Sequence, residues 1–503
     1  MARIVVVGAG MGGLAVAARL SAQRHEVTVI EQGDTIGGKL GWFARDGFAF
    51  DTGPSLLTLP ATYRDLFLKT GEPLERSVEL VEVDPVCRYR FADGTWLDLP
   101  NASRGRTVAA MDAALGAGAG AQWASLMDHA GAVWEITRGP FLESPLDGAR
   151  TLVGLSRRTR DLVTVAPWRT LRGLGRRYLR DPRLAMMLDR YATYSGSDPR
   201  RAPAALVTVP YVEQTFGAWY VRGGLRRLGD ALHQRVLDTG AQVLTSSRVS
   251  EVLVESGRVG GVLLASGRRV DADVVVSDVD ATHLYEDLVR VPEADKARRG
   301  LARTTPSLSG FVMLLALRGR TPDLAHHTVL FPEDYDDEFD SVFGSGRHAG
   351  APRTAPDPTV YVSAPDDPTL RPDDQHESLF VLVNAARHSV EDPTAGIDWD
   401  APGLASGYAD RILQVMAERG LDVRDRVVWR ELRTPADLAR TTASDGGSIY
   451  GSSSNGVRSA FLRPANRSPV PGLFLVGGSA HPGGGLPLVA MSAAIVAEQI
   501  GRA

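Results

Sequence analysis

Cysteine is almost missing from this chain: Cys87 stands alone among 503 residues. A single thiol excludes an internal disulfide, a cysteine-ligated metal cluster and a two-cysteine redox motif. A lone cysteine ordinarily fills core space. Lysine is nearly as scarce, with Lys39, Lys69 and Lys296 supplying three of 56 basic side chains. No run of 18 apolar residues occurs, so no spanning helix is expected. The net charge of −4 carries no general signal for nucleic acid. Internal repeats and low-complexity tails are also lacking. The first apolar run, Ile4-Val5-Val6-Val7, is too short for the core of a secretory leader. A cytoplasmic placement is therefore expected.

Glycine is plentiful, at 53 residues, and its placement is specific. The run Ile4-Val5-Val6-Val7 reads as a buried parallel strand. Gly8, Gly10 and Gly13 follow in Gly-x-Gly-x-x-Gly spacing, residues 12–22 read as a helix, and Val27-Thr28-Val29-Ile30 reads as a second strand ending at Glu31. Each part suits a dinucleotide. Gly8 permits the tight turn, and Gly10 lets backbone approach a pyrophosphate at the positive end of the helix. Gly13 allows close helix–strand packing, and Glu31 can accept hydrogen bonds from a ribose. The order strand, turn, helix, strand, acid separates this unit from a bare glycine motif.

The residues after Glu31 point to FAD rather than NAD. Gly37-Gly38-Lys39-Leu40 would bring backbone, and the Lys39 charge, to a second part of the cofactor; Asp51-Thr52-Gly53-Pro54-Ser55-Leu56 follows. At the far end, residues 472–478 read as a strand entering a glycine turn. His481-Pro482-Gly483-Gly484-Gly485-Leu486-Pro487 then leads into a helix with Leu488, Val489, Ser492, Ala493, Val496 and Ala497 on one face. A glycine turn at a helix start offers amides to a phosphate or an electron-rich ring edge. Two such turns suit an extended cofactor. No second nucleotide fingerprint for NADPH is evident.

With these segments, and with residues 219–225, 326–331, 361–368 and 447–451, the chain resembles the bacterial phytoene desaturase family of FAD-dependent carotenoid desaturases over nearly its whole length. The resemblance implies an α/β fold of flavin amine oxidase-like architecture. A discontinuous Rossmann-like FAD-binding domain (1–75, 225–300 and 441–503) would carry an inserted mixed-sheet and helical substrate domain (76–224 and 301–440). Cofactor contacts are expected from Gly8, Gly10, Gly13, Glu31, Gly38, Lys39, Leu40, Pro54, Ser55, Leu56, Val249, Asp278, Gly478, Gly485, Leu486 and Val489. Val249 would touch the adenine through its backbone. Many relatives carry Gly-Ala or Gly-Asp where this chain has Gly477-Gly478, so any contact at Gly478 must come from backbone.

Between the cofactor segments the pattern changes. Val86 to Phe91 and Thr95 to Leu99 read as strands joined by a turn at Asp93-Gly94, residues near 105–200 as mainly helical, and Val274-Val275-Val276-Ser277-Asp278 as a buried strand ending at a cofactor edge. The acidic stretch 332–340 reads as solvated surface. Residues 150–201 hold 13 arginines and four acids, a balance of +9. Here Trp168, Leu171, Leu174, Tyr178 and Leu179 fall on one helical face, Arg169, Arg172, Arg176 and Arg180 on the other, and Pro182 stops the helix. That pattern fits either a helix packed on the core or one lying on anionic lipid. The water-insoluble polyene implied by the resemblance favours the second, so a peripheral position on the inner face of the cell membrane is expected.

The implied reaction turns a CH2–CH2 unit beside a polyene into a double bond, with FAD supplying the redox chemistry and the protein an apolar channel. Oxygen or a membrane quinone would reoxidise the cofactor. No catalytic acid or base is assigned; His481 is a candidate that reads equally well as a positioning residue. Adjacent His326 and His327 should point in different directions, which argues against a shared metal. Met186 and Met187 read as core or channel wall. A 1-hydroxycarotenoid 3,4-desaturase, a terminal-methyl oxygenase and an isomerase remain open on the same scaffold. A flavin amine oxidase would need an aromatic cage, and a lipid carrier would have no use for an intact nucleotide turn.

Overall fold

Four consecutive apolar residues after Arg3 can be buried only if a strand is covered on both faces. In the computed structural model, which describes residues 1–146, 158–456 and 463–503, Arg3–Val7 is such a strand. Ile4 and Val6 enter one core, Val5 and Val7 another. It lies at the centre of a five-stranded parallel sheet ordered Gln242–Leu244, Glu26–Ile30, Arg3–Val7, Val274–Ser277, Leu473–Leu475. The helices Met11–Ala22, Arg226–Asp238 and Leu486–Ile500 contribute to the first core. Ser492, Ala493, Val496 and Ala497 are buried on the last of these. A three-stranded antiparallel sheet, Val249–Glu255, Arg258–Leu264 and Arg269–Asp271, covers the other face.

A second, seven-stranded sheet runs in the order Val427–Arg433, Ser309–Arg318, His376–Ala385, Val360–Ser363, His327–Leu330, Cys87–Arg90, Trp96–Leu99. It is mixed, since only His327–Leu330 and Cys87–Arg90 run parallel. Phe311, Met313, Leu315 and Leu317 alternate into a core beneath the helix Leu404–Glu418. The Cys87–Arg90 end packs against a helical layer that includes Ala119–Leu142, Leu171–Tyr178 and Pro182–Arg190. Cys87 is buried there, and burial pushes its thiol up to about 12, which makes it inert core.

Three expectations are corrected by tertiary packing. The stretch 332–340 is not a solvated face. The helix Tyr335–Phe343 buries Glu338 and Asp340. Glu338 accepts from the Thr359 amide at 2.7 Å and the Asn384 amide at 2.5 Å, and Asp340 pairs with Arg200 and Arg347. In the arginine-rich stretch, Leu171, Leu174 and Leu179 face the core, not lipid. Arg172 is turned inward between Asp189 (2.8 Å) and Asp336 (2.5 Å). Arg158, Arg160, Arg169, Arg176, Arg177 and Arg180 remain exposed beside Val163 and Trp168; Arg150 and Arg157 lie outside the described residues. Third, the His326 and His327 rings do not diverge. Their centroids are 4.5 Å apart, because the strand alternation begins only at His327.

The buried Asp189 has its pKa raised to about 6 by loss of water, with Arg172 opposing. An acid whose folded pKa is raised takes up protons on folding, so its cost grows as pH rises toward that value. Arg172→Met should therefore cost about 3–5 kcal/mol at pH 8, and the loss should shrink below pH 6. Urea unfolding at the two pH values checks this.

Candidate active site

The two ends of the chain meet around one carboxylate. Asp278 follows the strand Val274–Ser277 and stands over the Gly8–Gly13 turn. A methyl group on Gly10 or Gly12 would lie 2.5 Å from an Asp278 oxygen, and one on Gly13 would collide with the Gly8 carbonyl. A methyl on Gly12 would also sit 2.8 Å from the Gly477 Cα. Gly37 and Gly38 press on the same turn: the Gly37 amide donates to the Ala9 carbonyl at 2.8 Å, and a methyl on Gly38 would be 3.2 Å from the Gly10 Cα. Backbone thus lies bare where side chains would normally stand. Burial raises the Asp278 pKa to about 8, while the Gly13 and Gly10 amides pull the other way.

At the other end of the turn, Glu31 accepts from the Ala9 amide (2.7 Å) and the Gly33 amide (2.8 Å). Each carboxylate oxygen keeps a second lone pair for a ribose hydroxyl. The Ser247 amide donates to the Glu31 carbonyl, which brings Val249 to the Glu31 side. Leu40 is buried with its side chain in the core, so only its backbone is available. Leu486 carries the first turn of its helix and accepts from the Tyr63 hydroxyl at 3.0 Å. Val489 is core. A methyl on Gly485 would meet nothing within 4 Å, and one on Gly478 only the Gly484 Cα at 3.5 Å. Pro54 precedes Ser55, whose hydroxyl is 2.6 Å from that of Tyr361. Leu56 packs on the helical layer.

The interior motifs interlock. Asp51 accepts from the Leu225 (2.6 Å) and Arg226 (2.8 Å) amides and so caps the helix Arg226–Asp238. Asp367 accepts from the Gly223 amide (2.7 Å) and the Tyr220 hydroxyl (3.0 Å). Lys39 donates to the Ser448 (3.0 Å) and Ile449 (2.7 Å) carbonyls. Loss of water lowers its pKa, with Asp280 and Asp278 opposing.

Several residues here escape the sequence motifs. Arg463 is buried and donates to the Tyr450, Gly478 and Ser452 carbonyls; burial lowers it to about 10, with Asp280 opposing. Asp280 is buried with one oxygen lacking a hydrogen-bond partner among the described residues. Tyr450 fills the space that a side chain at Gly484 would need. Asn466 bonds Leu475, His481 and Ser492 at once. Tyr450 lies in the 447–451 segment, but Arg463, Asp280 and Asn466 carry no recognisable spacing. His481 is buried, and its Nε2 lies 3.0 Å from the Ser144 carbonyl. Burial lowers its pKa, which favours the neutral ring. Among the described residues, the one cluster able to hold a metal is His388, Asp398 and Asp400, of which Asp400 is already paired with Arg440.

The bare glycine backbone, the open start of the last helix and the unpaired Asp280 oxygen fit an extended dinucleotide. Glu31 and the Val249 segment would hold its adenosine, the Gly8–Gly13 turn its pyrophosphate, and residues 37–40 with 478–489 its ring system.

Comparison with known proteins supports a flavin cofactor. Residues 11–501 match the family of flavin containing amine oxidoreductases. A 4,4'-diapolycopene oxygenase from a Methylomonas species is 32% identical, over 99% of this chain and 98% of its own. A hydroxyneurosporene desaturase from Rubrivivax gelatinosus is 33% identical, over 99% and 93%. A zeta-carotene-forming phytoene desaturase from Myxococcus xanthus is 31% identical over the same shares. Among solved structures, cyclohexylamine oxidase from Brevibacterium oxydans superposes with a TM-score of 0.59 at 16% identity, over 99% of both chains, a likeness of fold.

Asp278 is neutral below about pH 8 and carries a charge against a pyrophosphate above it. FAD affinity should therefore fall by about tenfold or more as pH rises through that value. Asp278→Asn should remove the pH dependence and keep the affinity. Gly13→Val should abolish FAD loading. Fluorescence titration of apoprotein with FAD between pH 6.5 and 9.5 checks all three.

Proposed function

The chain belongs to the flavin containing amine oxidoreductase family, and we propose that within it the chain is an FAD-dependent carotenoid desaturase, oxidising CH–CH units of a phytoene-type or later polyene. The observation that carries this is the full-length likeness to carotenoid desaturases and oxygenases on a chain that keeps the whole glycine cradle. FAD, when bound, supplies a ring that accepts a hydride equivalent. The chain's own residues bind and orient. Segments 1–75, 225–300 and 441–503 form the FAD-binding part; 76–224 and 301–440 enclose the substrate. The sixteen residues expected at the cofactor are its contacts, with Lys39 and Arg463 as two cations flanking Asp280. They favour negative charge arriving nearby, as the electron pair does on reduction. A strong protein base is not obligatory, because cation character beside a polyene is delocalised and the proton then lost from the adjacent carbon can pass to water.

Among the described residues, no helix is long and apolar enough to cross a membrane. The polyene is drawn from lipid through the exposed patch around Val163 and Trp168, where the exposed arginines meet anionic headgroups on the inner face of the cell membrane. Oxygen or a quinone removes the electrons.

Two experiments test these readings. Anaerobic FAD-loaded protein mixed with phytoene- or neurosporene-bearing liposomes should lose its flavin absorbance as a longer polyene band grows. Silence with every polyene would overturn the desaturase reading. Trp168→Ser with Arg169→Glu should reduce co-sedimentation with anionic liposomes by about tenfold and leave the unfolding midpoint in place.

A further inference from the structure

One buried cation is not used by the site described above. Arg190 ends the helix Pro182–Arg190 and is 7% exposed. A guanidinium carries five N–H donors. Among the described residues it makes one hydrogen bond, from Nη1 to the Tyr194 hydroxyl at 2.9 Å. No carboxylate of the described residues lies within 4.0 Å of it, whereas Arg419 and Arg463, equally buried, each donate to three groups. The remaining neighbours are rings: Tyr194, Tyr361 and Tyr89 have their centroids 5.1, 5.6 and 5.9 Å from the Arg190 carbon.

A buried carboxyl group lies in the same lobe, with one oxygen uncommitted. Glu213 is 1% exposed, and Tyr191 donates to its Oε1 at 2.5 Å. Among the described residues its Oε2 has no hydrogen-bond partner, and the buried Tyr89 hydroxyl has none either. Unsatisfied groups of this kind are expensive in a fold unless a ligand completes them. The lobe adjoins the cofactor segments on two sides. Tyr361 meets Ser55 at 2.6 Å. The turn after Tyr194 reaches Tyr450 through Gly196, and Tyr450 in turn packs on Gly484. Tyr194, Tyr361, Ser55 and Tyr450 are half-buried, so each keeps some side-chain surface open to a ligand.

A pure hydrocarbon would leave the Arg190 charge desolvated and the Glu213 Oε2 without a partner, which is costly. A hydroxyl accepts one hydrogen bond and donates one, and Arg190 and Glu213 offer the matching pair. A carbonyl uses Arg190 alone. We propose that Arg190 and Glu213 receive an oxygen-bearing end of the polyene, which makes the enzyme selective for chains ending in a hydroxyl or carbonyl. The inference rests on the desaturase reading and names its substrate class.

The test uses FAD-loaded enzyme without oxygen and three polyenes of equal conjugation: a hydrocarbon, a terminal tertiary alcohol and a terminal aldehyde. Rates of flavin bleaching, and equilibrium binding followed by the shift of polyene absorbance, are read for the native protein, Arg190→Leu, Arg190→Lys and Glu213→Gln. The native enzyme should prefer an oxygenated end by at least about tenfold in both readouts. Arg190→Leu should erase the preference, Arg190→Lys should restore part of it, and Glu213→Gln should weaken the alcohol more than the aldehyde. Equal rates and binding for all three polyenes in the native protein, or an unchanged preference in Arg190→Leu, would overturn the inference while the desaturase reading stands. If Arg190→Leu fails to take up FAD, the native preference and the Glu213→Gln contrast decide. Absence of bleaching with every polyene would overturn the desaturase reading and this inference with it.

Discussion

Everything in this molecule follows from how closely three glycine segments approach one another around Asp278. The Gly8–Gly13 turn, the Gly37-Gly38 pair and the Gly477 turn touch backbone to backbone, at distances that leave no room for Cβ atoms. Such contact needs both ends of the chain in one parallel sheet, with Leu473–Leu475 and Arg3–Val7 each beside Val274–Ser277. The stretches between those strands must leave the sheet and return, and they do so as the helical layer and the seven-stranded sheet. A dinucleotide turn formed by residues this far apart is held by tertiary structure alone, which explains why so many interior motifs are clasps. Asp51 on Leu225 and Arg226, Asp367 on Gly223, and Lys39 on Ser448 and Ile449 each tie one segment to another.

The same closeness sets the electrostatics. Asp278, Asp280, Lys39 and Arg463 share a region with little water. Burial raises both acids and lowers both bases, while opposite charges limit each shift. The result is a set of groups whose charged forms burial disfavours and their neighbours favour, a combination that marks functional sites. The Arg190 lobe follows a different rule, because among the described residues its cation and the Glu213 carboxyl form no direct ion pair and meet through Tyr194.

The nucleotide-binding part was legible because its physics is local. Buried parallel strands show as unbroken apolar runs, and glycines at fixed spacing mark close approach; Arg3–Val7, Met11–Ala22 and Glu26–Ile30 fall where those signals put them. The hairpin Cys87–Arg90 and Trp96–Leu99 was equally readable from its Asp93-Gly94 turn. Contacts fixed only by tertiary packing were not legible. Glu338 and Arg172 look solvated in sequence because their partners, the Thr359 amide and Asp189, come from other elements. The apolar face of Leu171–Tyr178 has the same period whether core or lipid covers it. Arg463, Asp280 and Arg190 gave no signal, since a buried charge is indistinguishable from an exposed one until its surroundings are known.

The central claim is that one FAD spans both ends of the chain. A crystal structure of the FAD-loaded protein tests it most directly. The account predicts the adenosine ribose on Glu31, the pyrophosphate against the bare backbone of Gly10 beside Asp278, and the ring system between Lys39 and the start of the Leu486–Ile500 helix. A cofactor bound at only one of these ends, or with its pyrophosphate away from the Gly8–Gly13 turn, would contradict it.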